Sequence, residues 1–186
     1  MIVTVTPNPS IDRTVTLPSP LTRGSVHRVT SVTNQAGGKG VNVAKVLTMA
    51  GVDALAVLPA AVNDPLLTAL VNAAVPYQIV MTDQPARTNL TITEQDGTTT
   101  KINEPGAMID GATLTTFTEV VIGAAEDADW VVMSGSLPPG MPTSWYADVV
   151  ALLASRPCRV AVDTSDAPLA ALMSSLERGA PDLVKP

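Results

Sequence analysis

The strongest constraint on the fold is an alternation of short apolar segments with helical ones along the chain. The apolar segments are mostly continuous, as strands buried on both faces are, and the windows between them have helical spacing. This alternation predicts an α/β fold in which helices cover both faces of a parallel sheet. The predicted strands are Ile2–Thr6, Ala54–Leu58, Tyr77–Met81, Trp130–Ser134, Arg159–Asp163 and Leu183–Val184, and the predicted helices are Gly40–Ala50, Pro65–Ala74, Leu114–Ala125, Ser144–Ala154 and Pro168–Arg178.

A second, smaller sheet is predicted where residue types alternate at a period of two. In Leu90-Thr91-Ile92-Thr93 one face is apolar and the other carries hydroxyls, and Asp96-Gly97 then supplies a hairpin turn. We expect antiparallel strands, exposed on one side, that cover the main domain or pair with another subunit. The predicted strand pairs are Arg13–Leu17 with Val26–Thr33, and Arg87–Glu94 with Thr98–Asn103.

Composition excludes several classes of protein. With 11 Lys and Arg against 17 Asp and Glu, a net charge of −6 and 3% aromatic residues, the chain lacks the features of a nucleic-acid-binding surface. A single cysteine, Cys158, excludes a disulfide framework and fits a reducing compartment. The sequence has neither a membrane-spanning segment nor a signal peptide, so a cytoplasmic location is expected. Any phosphorylated ligand must be bound by a few local cations and backbone amides.

The glycine-rich run Ala36-Gly37-Gly38-Lys39-Gly40-Val41-Asn42-Val43-Ala44 follows a β-patterned segment and opens a helix. Its glycines allow a ligand to contact the backbone, and Asn42 lies one turn into the helix, near the free amides of the helix start. A Walker A loop would need Ser or Thr after Gly-Lys, and a dinucleotide-binding loop would need a small residue where Val43 stands. The alternative for this run is a turn followed by a capped helix.

Polar residues also follow several of the predicted strands, and the carboxyl ends of parallel strands meet at one edge of a sheet. Taken singly, Asp12 fits an ordinary turn, and Arg87 and Arg28 fit solvated edge strands. Their convergence favours a pocket instead. His27 is the only histidine, which leaves a surface hydrogen-bonding role more plausible than a catalytic triad or a multi-histidine metal site. The segments concerned are Thr6–Asp12, Arg87–Asn89, Met133–Gly140 and Asp163–Ser165.

Together these motifs resemble the PfkB group of the ribokinase-like carbohydrate kinases, in particular its phosphosugar branch. The resemblance implies a three-layer α/β/α sandwich with a mostly parallel sheet and a small β-sheet lid, which closes the sugar site and serves as a homodimer interface. It is carried, in the family's order, by Thr6-Pro7-Asn8-Pro9-Ser10-Ile11-Asp12, Gly37-Gly38-Lys39-Gly40-Val41-Asn42-Val43-Ala44, Arg87-Thr88-Asn89-Leu90, Asn103-Glu104-Pro105-Gly106, Ser134-Gly135-Ser136-Leu137-Pro138-Pro139-Gly140 and Leu183-Val184-Lys185-Pro186.

The resemblance also implies roles for individual residues. Sugar hydroxyls would be held by Asp12, Gly38 and Asn42, with Gly37 and Asn89 in the same substrate-binding set. The substrate's own phosphate would be held by Arg87, Ser136 and the lid residue Arg28, the last across a dimer, with Lys39 as an additional cation. Lys185 would approach the phosphates of ATP.

The implied activity is the phosphorylation of a ketohexose phosphate by ATP with Mg²⁺. Fructose 1-phosphate, giving fructose 1,6-bisphosphate, is favoured, and fructose 6-phosphate and tagatose 6-phosphate remain open. The family's Gly-Ala-Gly-Asp loop, which carries its catalytic base, is absent, so neither a catalytic residue nor a metal ligand is assigned in this chain. Residues 1–186 are expected to form the N-terminal part of the kinase domain, with lid strands near 13–34 and 87–103, and to self-associate through uncovered apolar faces.

Two further readings stay open. The 186-residue chain could act as a phosphosugar-binding or dimerising module without catalysis. A nucleotide-cofactor oxidoreductase is the weaker alternative, since it depends on Gly38-Lys39-Gly40 alone and would predict NAD binding.

Overall fold

The computed structural model describes the chain from Met1 to Pro186 and shows two β-sheets and five α-helices. The main sheet has six strands, and every neighbouring pair in it is parallel. Its strands are β1 (Ile2–Val5), β4 (Ala54–Ala60), β5 (Tyr77–Met81), β8 (Trp130–Ser134), β9 (Arg159–Asp163) and β10 (Leu183–Lys185), in the spatial order β10-β9-β8-β1-β4-β5.

Local sequence signals set the starts of two of the helices. Asp64 caps one helix by accepting a hydrogen bond from the amide of Leu66 at 2.9 Å, and Asp110 caps another through the amide of Thr113 at 2.7 Å. None of the helices is long and apolar enough to cross a membrane. The helices are α1 (Lys39–Met49), α2 (Pro65–Asn72), α3 (Gly111–Ala124), α4 (Trp145–Leu153) and α5 (Asp166–Met173), and a short 3₁₀ turn (Ala125–Asp127) follows α3.

Two apolar clusters lie on opposite faces of the main sheet. Along β4, Ala56 and Leu58 point toward α1 and α2, whereas Val57 between them points to the other face. The first cluster adds Val41, Ala44, Leu66 and Leu70 from α1 and α2, and the second adds Val131, Met133, Phe117, Val121, Trp145 and Leu172 from β8 and from α3, α4 and α5. The three-layer α/β/α architecture expected from the sequence is therefore confirmed.

The small sheet, called the lid below, has the spatial order β3-β2-β6-β7. The expectation of antiparallel strands throughout is wrong for its central pair, because β2 and β6 are parallel. Both strands leave the same edge of the main sheet, β2 after β1 and β6 after β5, so they run in the same direction. The outer pairs are antiparallel as expected. The strands are β2 (Ser10–Thr16), β3 (Ser31–Gly37), β6 (Arg87–Thr93) and β7 (Thr99–Asn103).

The strand predicted at Val26–Thr33 begins only at Ser31, so placing Arg28 in a lid strand was wrong. Between β2 and β3 the chain forms a loop that contains Pro18, Pro20 and a left-handed Gly24 (φ 77°), which interrupt strand pairing. Arg28 is exposed in this loop. The predicted surface role of His27 is confirmed, because its Nε2 lies 3.0 Å from the amide nitrogen of Thr22.

The two faces of the lid differ in chemistry because side chains alternate along each strand. One face, the polar face, carries Asp12, Thr14, Gln35, Asn89, Thr91, Lys101 and Asn103. The residues between them form the opposite, distal face, which carries Ile11, Arg13, Val15, Val32, Asn34, Leu90, Ile92 and Ile102. Only the part of the distal face nearest the core, at Ile11 and Ala36, packs on the apolar cluster beneath α1 and α2.

We expect Phe117→Ala to lower the free energy of unfolding by about 3–5 kcal/mol. Phe117 is 1% exposed and stacks on Trp145 with ring centroids 5.3 Å apart, so truncation leaves a cavity in the larger cluster. Urea unfolding measures the change. Val46→Ala is the control, because Val46 is 66% exposed and its truncation should change the free energy by no more than about 0.5 kcal/mol. Equal effects of the two substitutions would contradict the assigned packing.

Candidate functional site

The strand order of the main sheet places a crevice between β1 and β8. From β1 the chain first adds strands on the side of β4 and β5, and later adds β8, β9 and β10 on the other side. Open α/β sheets bind ligands at the carboxyl ends of the strands at such a reversal. The loops that follow β1 and β8 meet there, and the lid rises from the same edge.

Asn8 joins three loops at this edge. Its side chain is buried, and its Nδ2 donates to the carbonyl of Pro105 at 3.0 Å and to Oγ of Ser136 at 3.2 Å. Three segments that are far apart in sequence are thereby fixed to one another. Gly106 is required beside them, since its φ is 105° and a Cβ there would overlap the Asn8 amide.

A buried tyrosine fixes the turn that follows β8. Tyr146, at the start of α4, donates its hydroxyl to the carbonyl of Gly135 at 2.9 Å, and Oγ1 of Thr164 lies 3.3 Å from the same oxygen. Burial raises the pKa of Tyr146, with the charge of Asp163 acting in the same direction, so the hydroxyl remains a donor. Gly135 adopts a positive φ of 113°. The next residue, Ser136, lies within hydrogen-bond distance of Asn8.

Three residues of the lid form a hydrogen-bonded group next to the glycine run. Ser10 donates to Oδ1 of Asp12 at 2.8 Å, and the Asn89 amide lies 3.1 Å from both of them. A Cβ at Gly37 would overlap the Asp12 carboxyl, so only glycine allows this carboxylate to lie against the start of α1. The Oδ1 of Asn89 is buried without a partner. Such an atom is an acceptor that a ligand hydroxyl can satisfy.

The polar face of the lid opens onto a cavity of about 310 Å³. Every residue that lines it is polar. The lining contains one carboxylate, one ammonium group, two threonine hydroxyls and three side-chain amides, of which one lies on each of β3, β6 and β7. This chemistry suits a ligand with several hydroxyls and an anionic group. The lining residues are Asp12, Thr14, Gln35, Asn89, Thr91, Lys101 and Asn103.

Arg87 lies two residues before Asn89 and lines a neighbouring cleft of about 310 Å³ together with Glu104. Its Nη1 donates to the carbonyl of Glu104 at 2.9 Å, while its Nε is buried without a partner. Burial lowers the pKa of Arg87, and the charges of Asp12 and Glu104 oppose that shift. A half-buried guanidinium with a free donor is suited to binding an oxyanion.

Two lysines converge on one carboxylate at the end of β9. Lys39 Nζ lies 2.6 Å from Oδ1 of Asp163, and Lys185 Nζ lies 3.3 Å from Oδ2. Lys39 therefore points toward β9 and β10, away from the Asp12 and Asn89 group. The three side chains form a charged cluster of their own, with one net positive charge, beside the turn at Gly135.

Gly38 and Asn42 belong to the start of α1. Gly38 is the residue before the helix, with φ 105°, and a Cβ there would lie 2.7 Å from the Thr6 side chain. The Asn42 side chain is exposed on the first turn and has no intramolecular partner. Both lie at the start of α1, where the glycine run places them, and their role as site residues stays a prediction.

The structure thus brings most of the predicted residues to one edge of the main sheet, although it separates three of them from the group of Ser10, Asp12 and Asn89. Lys39 and Lys185 lie with Asp163, and Arg28 lies in the exposed loop. Sequence reasoning did not select Asn8, Glu104, Lys101 or Asn103 as individual site residues. The hairpin at Asp96-Gly97 contained a signal for two of them, because its register pairs Asn89 with Asn103 and Thr91 with Lys101.

Replacing Asn8 should remove the hydrogen bonds that connect the three loops. We expect Asn8→Ala and Asn8→Asp each to lower the free energy of unfolding by about 1–3 kcal/mol, since neither residue can donate to Pro105. Chemical denaturation and amide hydrogen exchange at residues 104–107 and 134–137 measure the effect. The control is Gln95→Ala, which removes an exposed amide. Wild-type stability in Asn8→Asp would contradict the donor role.

A model of the pfkB family carbohydrate kinases matches residues 5–186. Among curated relatives, the chain is 39% identical to a 1-phosphofructokinase of Xanthomonas campestris, over 99% of this chain and 58% of the relative. It is 30% identical to a tagatose-6-phosphate kinase of Staphylococcus epidermidis, over 100% of this chain and 59% of the relative. The chain therefore spans less than two thirds of the length of the curated relatives that it matches.

Solved structures give the same result for the fold. Phosphofructokinase-2 of Escherichia coli, in a complex with substrates and products, superimposes with a TM-score of 0.89 at 29% identity, covering 100% of this chain and 60% of that one. A possible 1-phosphofructokinase of Thermotoga maritima gives a TM-score of 0.89 at 26% identity with the same coverage. A ribokinase of Giardia lamblia, at 18% identity and a TM-score of 0.70, shares the fold.

Proposed function

Because the chain belongs to the pfkB family of carbohydrate kinases, we propose that the whole protein transfers the γ-phosphoryl group of ATP to a ketohexose phosphate. We further propose that fructose 1-phosphate is the substrate and fructose 1,6-bisphosphate the product. Relatives named 1-phosphofructokinase support this choice, and one named tagatose-6-phosphate kinase favours the same substrate class. Fructose 6-phosphate and tagatose 6-phosphate are the alternative substrates.

The observation that carries the proposal is that Asp12 and Asn89 lie on the same face of the lid as Arg87, a half-buried cation whose Nε has no partner. Asp12 and Asn89 offer a carboxylate and an unpartnered buried acceptor. Gly37 and Gly38 bring backbone close to the same point, and Asn42 supplies an amide from α1. These groups together would orient the sugar hydroxyls, and orientation is a large part of catalysis in phosphoryl transfer.

The substrate's own phosphate would be held by Arg87 and Ser136. Arg87 keeps its buried Nε free, which a phosphate oxygen can satisfy, and the hydroxyl of Ser136 is held nearby by Asn8. Lys101 adds a second positive charge on the polar face. Arg28, exposed on the loop between β2 and β3, would serve the site of a partner subunit.

ATP and Mg²⁺ would approach from the side of β9 and β10. Lys39 and Lys185 are cations suited to phosphate oxygens, and the Asp163 side chain is 21% exposed between them. Mg²⁺ in such sites commonly uses one or two carboxylates together with substrate phosphates. Both oxygens of Asp163 are already paired with lysines, so this carboxylate does not fit the metal and no metal ligand is assigned among residues 1–186. No catalytic base is assigned among residues 1–186.

We expect Arg87→Gln to weaken fructose 1-phosphate binding by about 1.5–3 kcal/mol, or roughly 10–100-fold, because a charged hydrogen bond to the phosphate is lost. Isothermal titration calorimetry on the chain measures the affinity, and a coupled assay on the whole protein measures kinase activity. Arg23→Gln is the control, since Arg23 is exposed in the loop between β2 and β3. Unchanged affinity in Arg87→Gln would remove Arg87 from the site, and no turnover of any ketohexose phosphate would overturn the activity.

The distal face of the lid supports a homodimer interface. Across the four strands, Val32, Val15 and Ile92 form one apolar row, and Leu90 and Ile102 belong to the next. Val32 is 43% exposed and Ile102 is 55% exposed, and only the end of this face nearest the core packs on the apolar cluster beneath α1 and α2. Pairing of two such faces would remove these side chains from water.

Adding a charge to this apolar surface should dissociate the dimer. We expect Val32→Asp combined with Ile102→Asp to convert a dimer to a monomer in light scattering, with unchanged secondary structure by circular dichroism. Val62→Asp is the control, because Val62 is 62% exposed outside the lid. An oligomer that persists in the double variant would place the interface elsewhere.

The second candidate function is a phosphosugar-binding module without catalysis, which concerns the 186-residue chain taken alone. The arrangement of carboxylates favours it. Both oxygens of Asp163 are paired with lysines, and Asp12 already accepts two hydrogen bonds on the lid. Neither is placed as a free general base. Phosphosugar binding by the 186-residue chain, with no turnover by the whole protein either, would favour this function over the kinase.

A further inference from the structure

A second and larger cavity, of about 940 Å³, lies on the other side of the lid. Its walls are the distal face of β2 and β3, the side of α1 and the length of α2. Asp12 and Arg13 are adjacent on β2, so the proposed sugar site and this cavity lie on opposite faces of that strand, and Gln35 on the outer strand β3 lines both. The cavity is of the size that binds small organic molecules.

The lining of this cavity is rich in polar groups without partners. Arg13 makes no ion pair, and Lys45 Nζ has only a 3.4 Å contact with the carbonyl of Ala36, which leaves donors free on both. Asn34, Asn63 and Asn72 also reach it from β3 and from the two ends of α2. Their side-chain amides make no hydrogen bond within the chain.

The charged residues that line the cavity favour an anionic ligand. Asp64 is its one acidic residue, and it is 3% exposed with its two oxygens taken by the amides of Leu66 and Ala86, at 2.9 and 2.6 Å. Arg13 and Lys45 therefore leave a net positive charge in a chain whose total charge is −6. An anion that enters this cavity meets two cations and no free carboxylate.

The remaining residues that line the cavity indicate the chemical class of its ligand. No aromatic side chain lines the cavity, so it has no platform on which a nucleobase could stack, while Ile11, Pro65 and Ala69 provide an apolar floor. Amides and the hydroxyl of Thr68 suit the hydroxyls of a short carbon chain or ring. We propose that this cavity is a second ligand site, which binds a small hydroxylated organic phosphate between the lid and α1 and α2.

A ligand in this position would fix the lid relative to the main sheet. Arg13 belongs to the lid, whereas Lys45 and Thr68 belong to the helices beneath it. Asp64 already ties the start of α2 to Ala86, the residue before Arg87. An occupied second site would therefore contact β2 on the face opposite Asp12 and leave the cavity on the polar face open to its own ligand.

NMR titration of the ¹⁵N-labelled chain with fructose 1-phosphate tests both sites in one experiment, with fructose as the uncharged control ligand. The backbone amides of Asn34, Lys45 and Asn72 report on the second site, and those of Asn89 and Asn103 report on the polar face. We expect two sets of shifts with independent saturation curves. Arg13→Gln with Lys45→Gln should weaken the first set at least tenfold and leave the second set unchanged. Arg23→Gln with Arg156→Gln removes the same charge elsewhere and should change neither.

The outcomes separate this proposal from the proposed function. Shifts confined to Asn89 and Asn103 would overturn the second site and leave the sugar site intact. Shifts confined to Asn34, Lys45 and Asn72 would support the second site and count against the sugar site. Shifts at Asn34, Lys45 and Asn72 that persist in Arg13→Gln with Lys45→Gln, or that fructose alone produces, would overturn the proposal. Circular dichroism of each variant verifies that it is folded.

Discussion

The site depends on one buried amide, that of Asn8. A parallel sheet brings the ends of β1 and β8 to the same edge, but it does not fix the loops that follow them. The two hydrogen bonds from Asn8 Nδ2, to Pro105 and to Ser136, connect the loop after β1, the chain returning from the lid and the turn after β8. Because a buried donor is costly to leave unpaired, all three segments are held in one arrangement. The lid is thereby anchored at both of its ends.

Electrostatics at the site are local and contrast with the charge of the whole chain. The net charge of −6 would repel a phosphosugar at long range, and solvent ions screen that repulsion beyond about 10 Å. At short range the proposed ligand would meet Arg87, whose Nε is buried and unpaired. The lysines near β9 are neutralised in part by Asp163. Positive charge is therefore divided into two places, one beside the proposed sugar-binding group and one where nucleotide phosphates are proposed to lie.

The two faces of the lid line two different cavities because a β-strand alternates its side chains. The polar face carries the carboxylate and amides of the proposed sugar site, while the distal face carries an apolar surface and, nearer the core, Arg13 at the second cavity. Adjacent residues such as Asp12 and Arg13 thus line different cavities. A shift of β2 by one residue would exchange the two faces, so the pairing of Ser10 with Gly37 and with Arg87 is central to both.

The amino-acid sequence was enough to predict the layers of the fold and the sheet edge at which the candidate site is placed. Alternating apolar segments and helical windows are local patterns, and three of the six core strands, Tyr77–Met81, Trp130–Ser134 and Arg159–Asp163, agree at both ends. Three features could be seen only in the folded chain: the parallel pairing of β2 with β6, the loop position of Arg28 and the pairing of Lys39 with Asp163. Each of these depends on which distant segment lies alongside, and neither hydrophobic period nor turn chemistry encodes that choice. The same reason explains why the sequence did not indicate the role of Asn8, because its hydrogen-bond partners are 97 and 128 residues away.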